Sequence, residues 1–594
     1  MNFIRNRNFR AGPQTSLEGF ICHQNSDKPQ KIKVFGRSGG GNGNGEITNE
    51  ATVGYAAFNI NLPSVNGTRA ADAGGAETTG GETSEYKVKS ATALIFQKYG
   101  LTEGDYKFVE SIDIQDAASD WNSDETDGIT TSKKLVAQLT DVKNNKNSYY
   151  VLILLNNKKT DGVKIPLPKL GDSYSAWNNT ILTPTVTELA ENDGFYMANA
   201  PLKSATATAP TTLVPIATDN IYPTKAQAEN GANAAEVYVE RGVAKMTVTA
   251  NTTEVKDRQD KATVTKSTVV FTNWALDITN RKAYAVHNVD GLTNDWTGIW
   301  SNTRFTGKNN RVYWAKDPNY NDTELNIAND EKDTKRKGEF NFIEATTNIN
   351  GDLSKPAYCL ENTFNLANMY QGQTTRVIFK ATYTPKDAAG NSLADADGTF
   401  YTIGNLTSAL NTTELKKAVN AAATSVLAGC TVDYANIEKE GSHVITCADI
   451  KKDGTALVAG TSYGSKTGAQ IVTEINAALG LKAGRPEEMV GINTYAKGVT
   501  YYIARVKHFG DTNTPWHSGN EKYGTGDEAN KNYLGRYGML RNNWYDMTVG
   551  NVYGPGFPGV PPVDPNQPDD EDEKYLSVSV KILDWAKRTQ NVDL

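Results

Sequence analysis

Short segments that alternate apolar and polar residues, separated by polar loops, recur along this chain of 594 residues. In one segment near the start, every second residue is apolar: Ala56, Phe58, Ile60 and Leu62. This spacing predicts a half-buried β-strand, whereas the continuously apolar segment Tyr149–Leu155 predicts a strand buried on both faces. The loops between such segments are rich in Asn, Asp, Thr and Gly, and no regular helices intervene. The pattern favours β-sandwiches over an alternating βαβ fold.

The length of the chain predicts more than one hydrophobic core. Around residues 210–235 the composition becomes rich in Ala, Thr and Pro, so we place a domain boundary there. Val237–Val248 would then open a second set of strands, which continues at residues 268–274, 376–383, 498–506 and 543–552. Two segments have helical spacing instead, Thr413–Ala428 and Thr467–Leu481, and we predict surface helices packed on a sheet.

Composition and motifs argue against several classes of protein. The net charge of −7 comes without a basic stripe, which disfavours nucleic-acid binding. The five histidines have no metal-ligand spacing, and no Gly-x-Ser-x-Gly motif is present. We therefore predict no catalytic, metal or cofactor-binding residues, no cofactor, and no enzymatic activity. Four cysteines do not make a disulfide framework, and whether Cys430 and Cys447 pair is left open by the sequence.

The first residues are basic but lack the apolar core of a secretory signal peptide. Cys22 begins a polar stretch similar to the start of a mature bacterial lipoprotein, which makes it the candidate for lipidation. Residues 18–21 do not form a lipobox, and the alternative is a free or incidental cysteine.

The C-terminal tail is the most distinctive part of the chain. Gly554–Pro568 contains six prolines and is followed by the acidic run Asp569–Glu573, for which we expect a solvated segment. Such a proline density predicts an extended, semi-rigid spacer. A final strand then follows, with one apolar face and Trp585 just beyond it: Leu576, Val578, Val580 and Ile582.

A strand at the end of a stiff spacer should not fold back into its own domain. We therefore predict that it is a donor strand, which enters a neighbouring subunit by β-strand addition. Ala56–Leu62 repeats its spacing and could occupy the same groove first, as a placeholder strand; the alternative is an ordinary edge strand. Arg69-Ala70 follows on an exposed loop of small polar residues, where a trypsin-like protease could cut and release the placeholder.

Several segments together resemble the Bacteroidetes fimbrillins of type V pili, most closely the Mfa-type shaft subunit of short fimbriae. The similar segments keep the order of that family and are Thr68–Ala70, Tyr238–Lys245, Phe379–Lys386, Gly498–Tyr502, Arg541–Tyr545 and Leu576–Leu594. The expected lipoprotein signal is absent from residues 1–35.

This resemblance implies two tandem transthyretin-like β-sandwich domains with a few surface helices, and export through the periplasm as a lipoprotein precursor. It also implies cleavage after Arg69 by an Arg-specific protease and donor-strand assembly into an adhesive fimbria attached at the outer membrane. The partners would be other copies of the chain and accessory anchor and tip fimbrillins. The predicted parts are a leader and propeptide (1–69), two sandwich domains (70–230 and 231–553), a linker (554–574) and the donor strand (575–594).

One alternative function remains open at this point. A non-polymerising surface lipoprotein could bind glycans through exposed aromatic residues in β-rich loops, with the candidates Trp296, Trp300, Trp314 and Trp516. Such a protein would stay monomeric, which distinguishes it from a fimbrial subunit.

Overall fold

Strands dominate the computed structural model of the chain, as the sequence predicts. The structure describes residues 54–62, 83–118, 121, 132–142, 147–203, 207, 209–256, 263–292, 312, 314–326, 330–404, 406, 408–509, 533–569 and 576–584. All of them belong to one unit, Ile47–Leu594.

Within the described residues, the first thirteen strands are β1 (Gly54–Asn61), β2 (Ala91–Gln97), β3 (Lys107–Ile114), β4 (Ser132–Leu139), β5 (Tyr149–Leu155), β6 (Lys158–Lys159), β7 (Gly162–Val163), β8 (Ala190–Glu191), β9 (Gly194–Phe195), β10 (Met197–Asn199), β11 (Val214–Ile216), β12 (Ile221–Tyr222) and β13 (Ala235–Arg241). The following strands are β14 (Ala244–Thr249), β15 (Thr253–Lys256), β16 (Thr263–Asp277), β17 (Thr279–Asn280), β18 (Phe340–Asn341), β19 (Ala357–Cys359), β20 (Arg376–Thr384), β21 (Phe400–Ile403) and β22 (Cys430–Val432). The last are β23 (Gly441–His443), β24 (Ile450–Lys452), β25 (Thr455–Ala456), β26 (Ser462–Tyr463), β27 (Lys466–Thr467), β28 (Ile492–Tyr495), β29 (Val499–Arg505), β30 (Asn543–Val552) and β31 (Leu576–Asp584).

The α-helices among the described residues are α1 (Tyr174–Asn178), α2 (Val186–Leu189), α3 (Lys225–Asn230), α4 (Asp330–Glu339), α5 (Thr412–Val426) and α6 (Gly468–Ala478).

Two large sheets carry the fold. The first has the order β12-β1-β13-β10-β5-β2-β3, with β4 paired to β1 and β11 paired to β5. The second has the order β19-β14-β30-β15-β16-β20-β29, with β31 paired to β30. Each sheet has its own main hydrophobic core. In the first core, β5 lies between β2 and β10 with six of its seven residues buried, so the predicted doubly buried strand is confirmed.

The predicted second set of strands is correct except at its start. Residues 235–241 form β13 in the first sheet, and only β14 belongs to the second. The chain crosses between the sheets at Gly242, whose amide donates to the carbonyl of Tyr196. A Cβ atom at Gly242 would lie 2.7 Å from the Tyr196 ring, so this close passage requires glycine. A continuous apolar pattern cannot reveal that the chain changes sheets within it, and the two domain boundaries stay a prediction.

The two predicted helices are confirmed as α5 and α6, to within a few residues at each end. The Asn411 side chain caps α5 by accepting a hydrogen bond from the Glu414 backbone amide. Thr467 is the N-cap residue of α6 and forms a capping box with Gln470. The helices share a hydrophobic core with small sheets formed by β21, β28 and β23 and by β22, β24 and β25. Residues 400–495, here called the helical insertion, thus build a core of their own between β20 and β29.

Candidate strand-binding site

The predicted placeholder strand is an interior strand of the first sheet. All eight residues of β1 pair with β4 in antiparallel register, from Gly54–Leu139 to Asn61–Ser132. On its other side β1 pairs in parallel with β13 and, at Tyr55 and Ala56, with β12. Because both edges of β1 are hydrogen-bonded, the alternative of an ordinary edge strand is wrong.

The apolar face of β1 is part of the first core. Ala56, Phe58 and Ile60 have no exposed surface and Leu62 is 2% exposed. On the opposite face, Ala57 and Asn61 are also buried, whereas Asn59 is half-buried and its side-chain amide donates to the exposed Glu236 carboxylate over 2.8 Å. Period-two spacing had predicted this inward face correctly. The strands that receive it, β4 and β13, are distant in sequence and could not be predicted.

The covalent link from β1 to the later strands of its sheet runs through residues 62–83, of which 63–82 lie outside the described residues. The predicted processing site, Arg69 and Ala70, falls within that segment. Cys22 and Trp585 also lie outside the described residues. Cleavage and lipidation at these positions therefore stay predictions.

Directly after that segment, the chain is held by a buried ionic cluster that the sequence did not suggest. Glu85 is fully buried, and its Oε1 accepts hydrogen bonds from the Lys245 ammonium and the Tyr358 hydroxyl, both over 2.7 Å. Its carbonyl accepts from Arg241 Nε over 2.6 Å, while the Lys245 Nζ lies 3.9 Å from the centre of the Trp544 ring. A buried carboxylate of this kind is tolerated because a cation and a hydroxyl donor satisfy it. Lys245, Tyr358 and Trp544 belong to the second sheet, so the cluster ties the start of the chain after β1 to that sheet.

The predicted donor strand folds back within its own chain. β31 pairs antiparallel with β30 from Asn543–Asp584 to Val552–Leu576, with a shift between Val549 and Val552. Its Val578 and Val580 are half-buried against the second core. The expectation that the linker keeps this strand away from its own domain is thus wrong, because the linker is not a free spacer.

The first part of the proline-rich segment is bound by tyrosines of β28 and β29. The Tyr502 hydroxyl donates to the Gly554 carbonyl over 3.0 Å, and the Tyr495 hydroxyl donates to the Gly556 carbonyl over 2.8 Å. Tyr501 and Phe557 exchange two backbone hydrogen bonds of 2.9 and 2.7 Å. A Cβ atom at Gly556 would lie 2.1 Å from the Tyr501 carbonyl oxygen, so only glycine permits this approach.

The second part is bound by polar side chains. Arg376 donates to the carbonyls of Pro561 and Pro562 over 2.6 and 3.1 Å, and its Nε pairs with the buried Asp277 carboxylate over 2.8 Å. Asp569 is fully buried, and its carboxylate accepts from the Thr374 hydroxyl over 3.1 Å. The expectation of a solvated acidic run is therefore wrong at Asp569; the rest of the run lies outside the described residues.

A cavity of about 950 Å³ lies beside this segment, between α4, the helical insertion and residues 555–563. Charged side chains on its walls are paired with each other: Arg376 with Asp277, Arg485 with Asp333, and Lys337 with Glu344. The proline-rich segment thus forms one wall of the cavity.

Other predicted features have clear positions. Cys359, Cys430 and Cys447 are free, so Cys430 and Cys447 do not pair; burial raises the pKa of the Cys359 thiol to about 12. Trp314 is fully buried and offers no exposed sugar platform, while Trp296, Trp300 and Trp516 lie outside the described residues.

Two kinds of feature are absent from the described part of the chain. It contains no cluster of three or more His, Cys, Asp or Glu side chains arranged to hold a metal ion. It likewise contains no helix that combines the length and apolarity needed to span a membrane.

Residues 493–591 match the family described as Major fimbrial subunit protein type IV, Fimbrillin, C-terminal. The matched part contains β29, β30, the proline-rich segment and β31. No curated protein shows significant similarity to the chain.

Among solved structures, the chain is similar to a candidate cell adhesion protein from Bacteroides eggerthii, with 10% identity, 89% of this chain and 96% of that chain covered, and a TM-score of 0.32. A candidate cell adhesion protein from Parabacteroides distasonis has 8% identity, coverage of 90% and 98%, and a TM-score of 0.35. A fimbrial assembly protein from the same species has 11% identity, coverage of 60% and 93%, and a TM-score of 0.25. These TM-scores are low, so the fold described above rests on the strand pairing of this chain alone.

Proposed function

We propose that the chain is a structural subunit of a cell-surface fimbria, and that it polymerises by exchanging its β1 strand for the β31 strand of a neighbour. The observation that carries the proposal is the position of β1. It is an interior strand with a buried apolar face, yet a single cut in residues 63–82 would leave it held without any covalent bond to the sheet. The match of residues 493–591 to the fimbrillin C-terminal family supports the same function.

The exchange would proceed in three steps. An Arg-specific protease cuts after Arg69, β1 leaves, and a groove opens between β4 and β13 with its backbone donors and acceptors free. A strand with apolar residues at every second position can fill that groove, because main-chain hydrogen bonds supply affinity and alternate side chains fill the pockets. β31 has this pattern at Leu576, Val578, Val580 and Ile582.

The burial of the two strands gives the exchange a direction. Phe58 and Ile60 of β1 are completely buried, whereas Val578 and Val580 of β31 are only half-buried at the edge of the second sheet. A donated β31 therefore buries more apolar surface in the groove than it does on β30. This gain favours the polymer once the groove is empty.

The finer parts of the proposal follow from the resemblance found in the sequence. The chain is a non-enzymatic, Mfa-type shaft subunit with tandem transthyretin-like domains, delivered as a lipoprotein through Cys22 and assembled with accessory anchor and tip fimbrillins at the outer membrane. The glycan-binding alternative loses its candidate Trp314, which is buried.

Polymerisation of the purified chain tests the proposal. Trypsin nicking after Arg69 should produce ladders on unheated denaturing gels, and Arg69→Ala should abolish them. Removing residues 575–594 should leave monomers, whereas removing only residues 586–594 should not. If the chain without residues 575–594 still forms ladders after nicking, donation of β31 is not the mechanism.

A further inference from the structure

We propose that Gly554–Asp569, here called the anchored segment, stays bound to its own domain when β31 is donated, so that the neighbouring copy must dock directly beside Asp569. The inference rests on the proposed function and adds to it where the donor arm begins and which surface meets the next subunit.

The anchored segment is bound through its backbone, at both ends and in the middle. Gly554 and Gly556 are held at the start by the hydroxyls of Tyr502 and Tyr495. In the middle, Arg376 holds two consecutive proline carbonyls and is itself fixed by the buried Asp277. Because these contacts are distributed along the segment, losing β31 removes none of them.

The C-terminal end of the segment forms a short β-ladder with residues 369–371. The Gln371 amide donates to the Gln567 carbonyl over 3.0 Å, and the Asp569 amide donates to the Met369 carbonyl over 3.1 Å. The Asp569 carboxylate is buried and accepts a hydrogen bond from the Thr374 hydroxyl. Removing Asp569 from its position would break this ladder and the hydrogen bond between Thr374 and the Asp569 carboxylate. β31 can leave β30 without breaking either contact.

The proline content explains how most of the segment is held without regular secondary structure. A proline has no amide hydrogen, so six of its fifteen residues up to Pro568 need no acceptor. The carbonyl groups of the segment still need hydrogen-bond donors, which two tyrosine hydroxyls and the Arg376 guanidinium supply. A proline-rich sequence is thus compatible both with a free spacer and with a segment whose carbonyls are bound by hydrogen-bond donors on a protein surface.

If Asp569 stays bound, only the residues after it can move with β31, and their number sets how far β31 can reach. Between Asp569 and Leu576 there are seven residue steps, which span at most roughly 25 Å when fully extended. A free spacer starting at Gly554 would reach about 70 Å at the polyproline rise of ~3.1 Å per residue. The shorter reach requires the groove of the next copy to lie against the second domain, next to the exposed Asn566 and Gln567.

Two engineered disulfides test which part of the tail moves. Tyr370 and Pro568 face each other in the short ladder, between the two flanking hydrogen bonds, a closely spaced pairing that suits a disulfide. Tyr370→Cys with Pro568→Cys locks the anchored segment. The matched control, Val549→Cys with Val578→Cys, locks β31 onto β30.

After nicking at Arg69, we expect the oxidised Tyr370/Pro568 variant to polymerise at the same rate as its reduced form. The oxidised Val549/Val578 variant should stay monomeric and recover on reduction. A Tyr370/Pro568 variant that stalls when oxidised and recovers on reduction would overturn the anchoring and leave strand donation intact. Ladders from the oxidised Val549/Val578 variant would instead overturn strand donation itself.

Hydrogen exchange on the unaltered chain gives an independent measurement, should either double variant fail to fold. We expect the amides of Phe557 and Asp569, which donate to Tyr501 and Met369, to be equally protected in the nicked monomer and in the polymer. Loss of that protection in the polymer would contradict the inference.

Discussion

Truncation of Phe58 tests how β1 is held in the first sheet. After cleavage, β1 would be bound only by its backbone pairing with β4, β12 and β13 and by its buried side chains. Phe58 is the largest of these and has no exposed surface. Phe58→Ala removes most of that burial and leaves the backbone pairing in place, so it isolates the side-chain contribution.

The expected size of the effect follows from burial. Phe→Ala changes in a closed core cost about 3–5 kcal/mol. Each 1.36 kcal/mol corresponds to a tenfold change, so release of β1 from the nicked chain should become about 10²- to 10⁴-fold more favourable. Polymerisation limited by that release should accelerate in the same direction.

The assay compares nicked chains side by side. Mass spectrometry after gel filtration measures the β1 peptide that remains bound, and light scattering measures polymer growth. Asn59→Ala is the matched control, because the Asn59 amide donates to both oxygens of the exposed Glu236 carboxylate, and losing these surface hydrogen bonds should change both quantities little. Circular dichroism of the uncut variants checks that each still folds.

One result would refute the reasoning. If nicked Phe58→Ala retains β1 and polymerises like the parent chain, burial of this strand does not control its release. Accelerated release without faster polymerisation would show instead that a later step limits assembly.

Three further predictions concern buried ionisable side chains, and each is tested by urea unfolding followed by both fluorescence and circular dichroism. Arg376→Gln should lower the free energy of unfolding by about 3–5 kcal/mol, because it leaves the buried Asp277 carboxylate without its cation. Adding Asp277→Asn to this variant should recover part of the lost stability. A double variant that is no more stable than Arg376→Gln alone would contradict this explanation. Lys245→Met should be similarly destabilising through Glu85, and a loss below about 1 kcal/mol would show that the ion pair contributes little. Burial raises the pKa of Asp317 from its usual 3.8 to about 8, so the folded chain holds a proton that the unfolded chain releases. This proton should make stability fall between about pH 4 and 8, by up to about 1.4 kcal/mol per pH unit. Burial also raises the pKa of Glu103 to about 8, which adds a slope of the same sign, so Asp317→Asn should reduce the slope without removing it. An unchanged slope would exclude Asp317 as one of its sources.

The spacing of apolar residues correctly predicted the type of an element and its buried face wherever one strand or helix packs against one core. The alternation from Ala56 to Leu62 predicted the buried face of β1, and the apolar run at Tyr149–Leu155 predicted a doubly buried strand. The helical spacing near residues 413–428 and 467–481 predicted α5 and α6. These predictions succeed because side-chain spacing follows directly from helix and strand geometry.

The same patterns carried no information on which strand pairs with which. β1 lies between β4 and β13, partners that are far from it in sequence, and its parallel pairing with β13 leaves no local signal. The change of sheet at Gly242 depends on the Tyr196 ring, and the burial of Glu85 depends on Lys245 and Tyr358. Each is a contact between residues brought together only by the folded chain.

The tail shows the division most clearly. Its sequence by itself determined that a proline-rich segment precedes a strand with one apolar face, because proline restricts φ and alternating residues point to opposite sides of a strand. Only the tertiary structure decided that this segment is bound rather than free. The donors that hold it are on Tyr495, Tyr502 and Arg376, which lie in β28, β29 and β20. Their positions depend on how those strands pack.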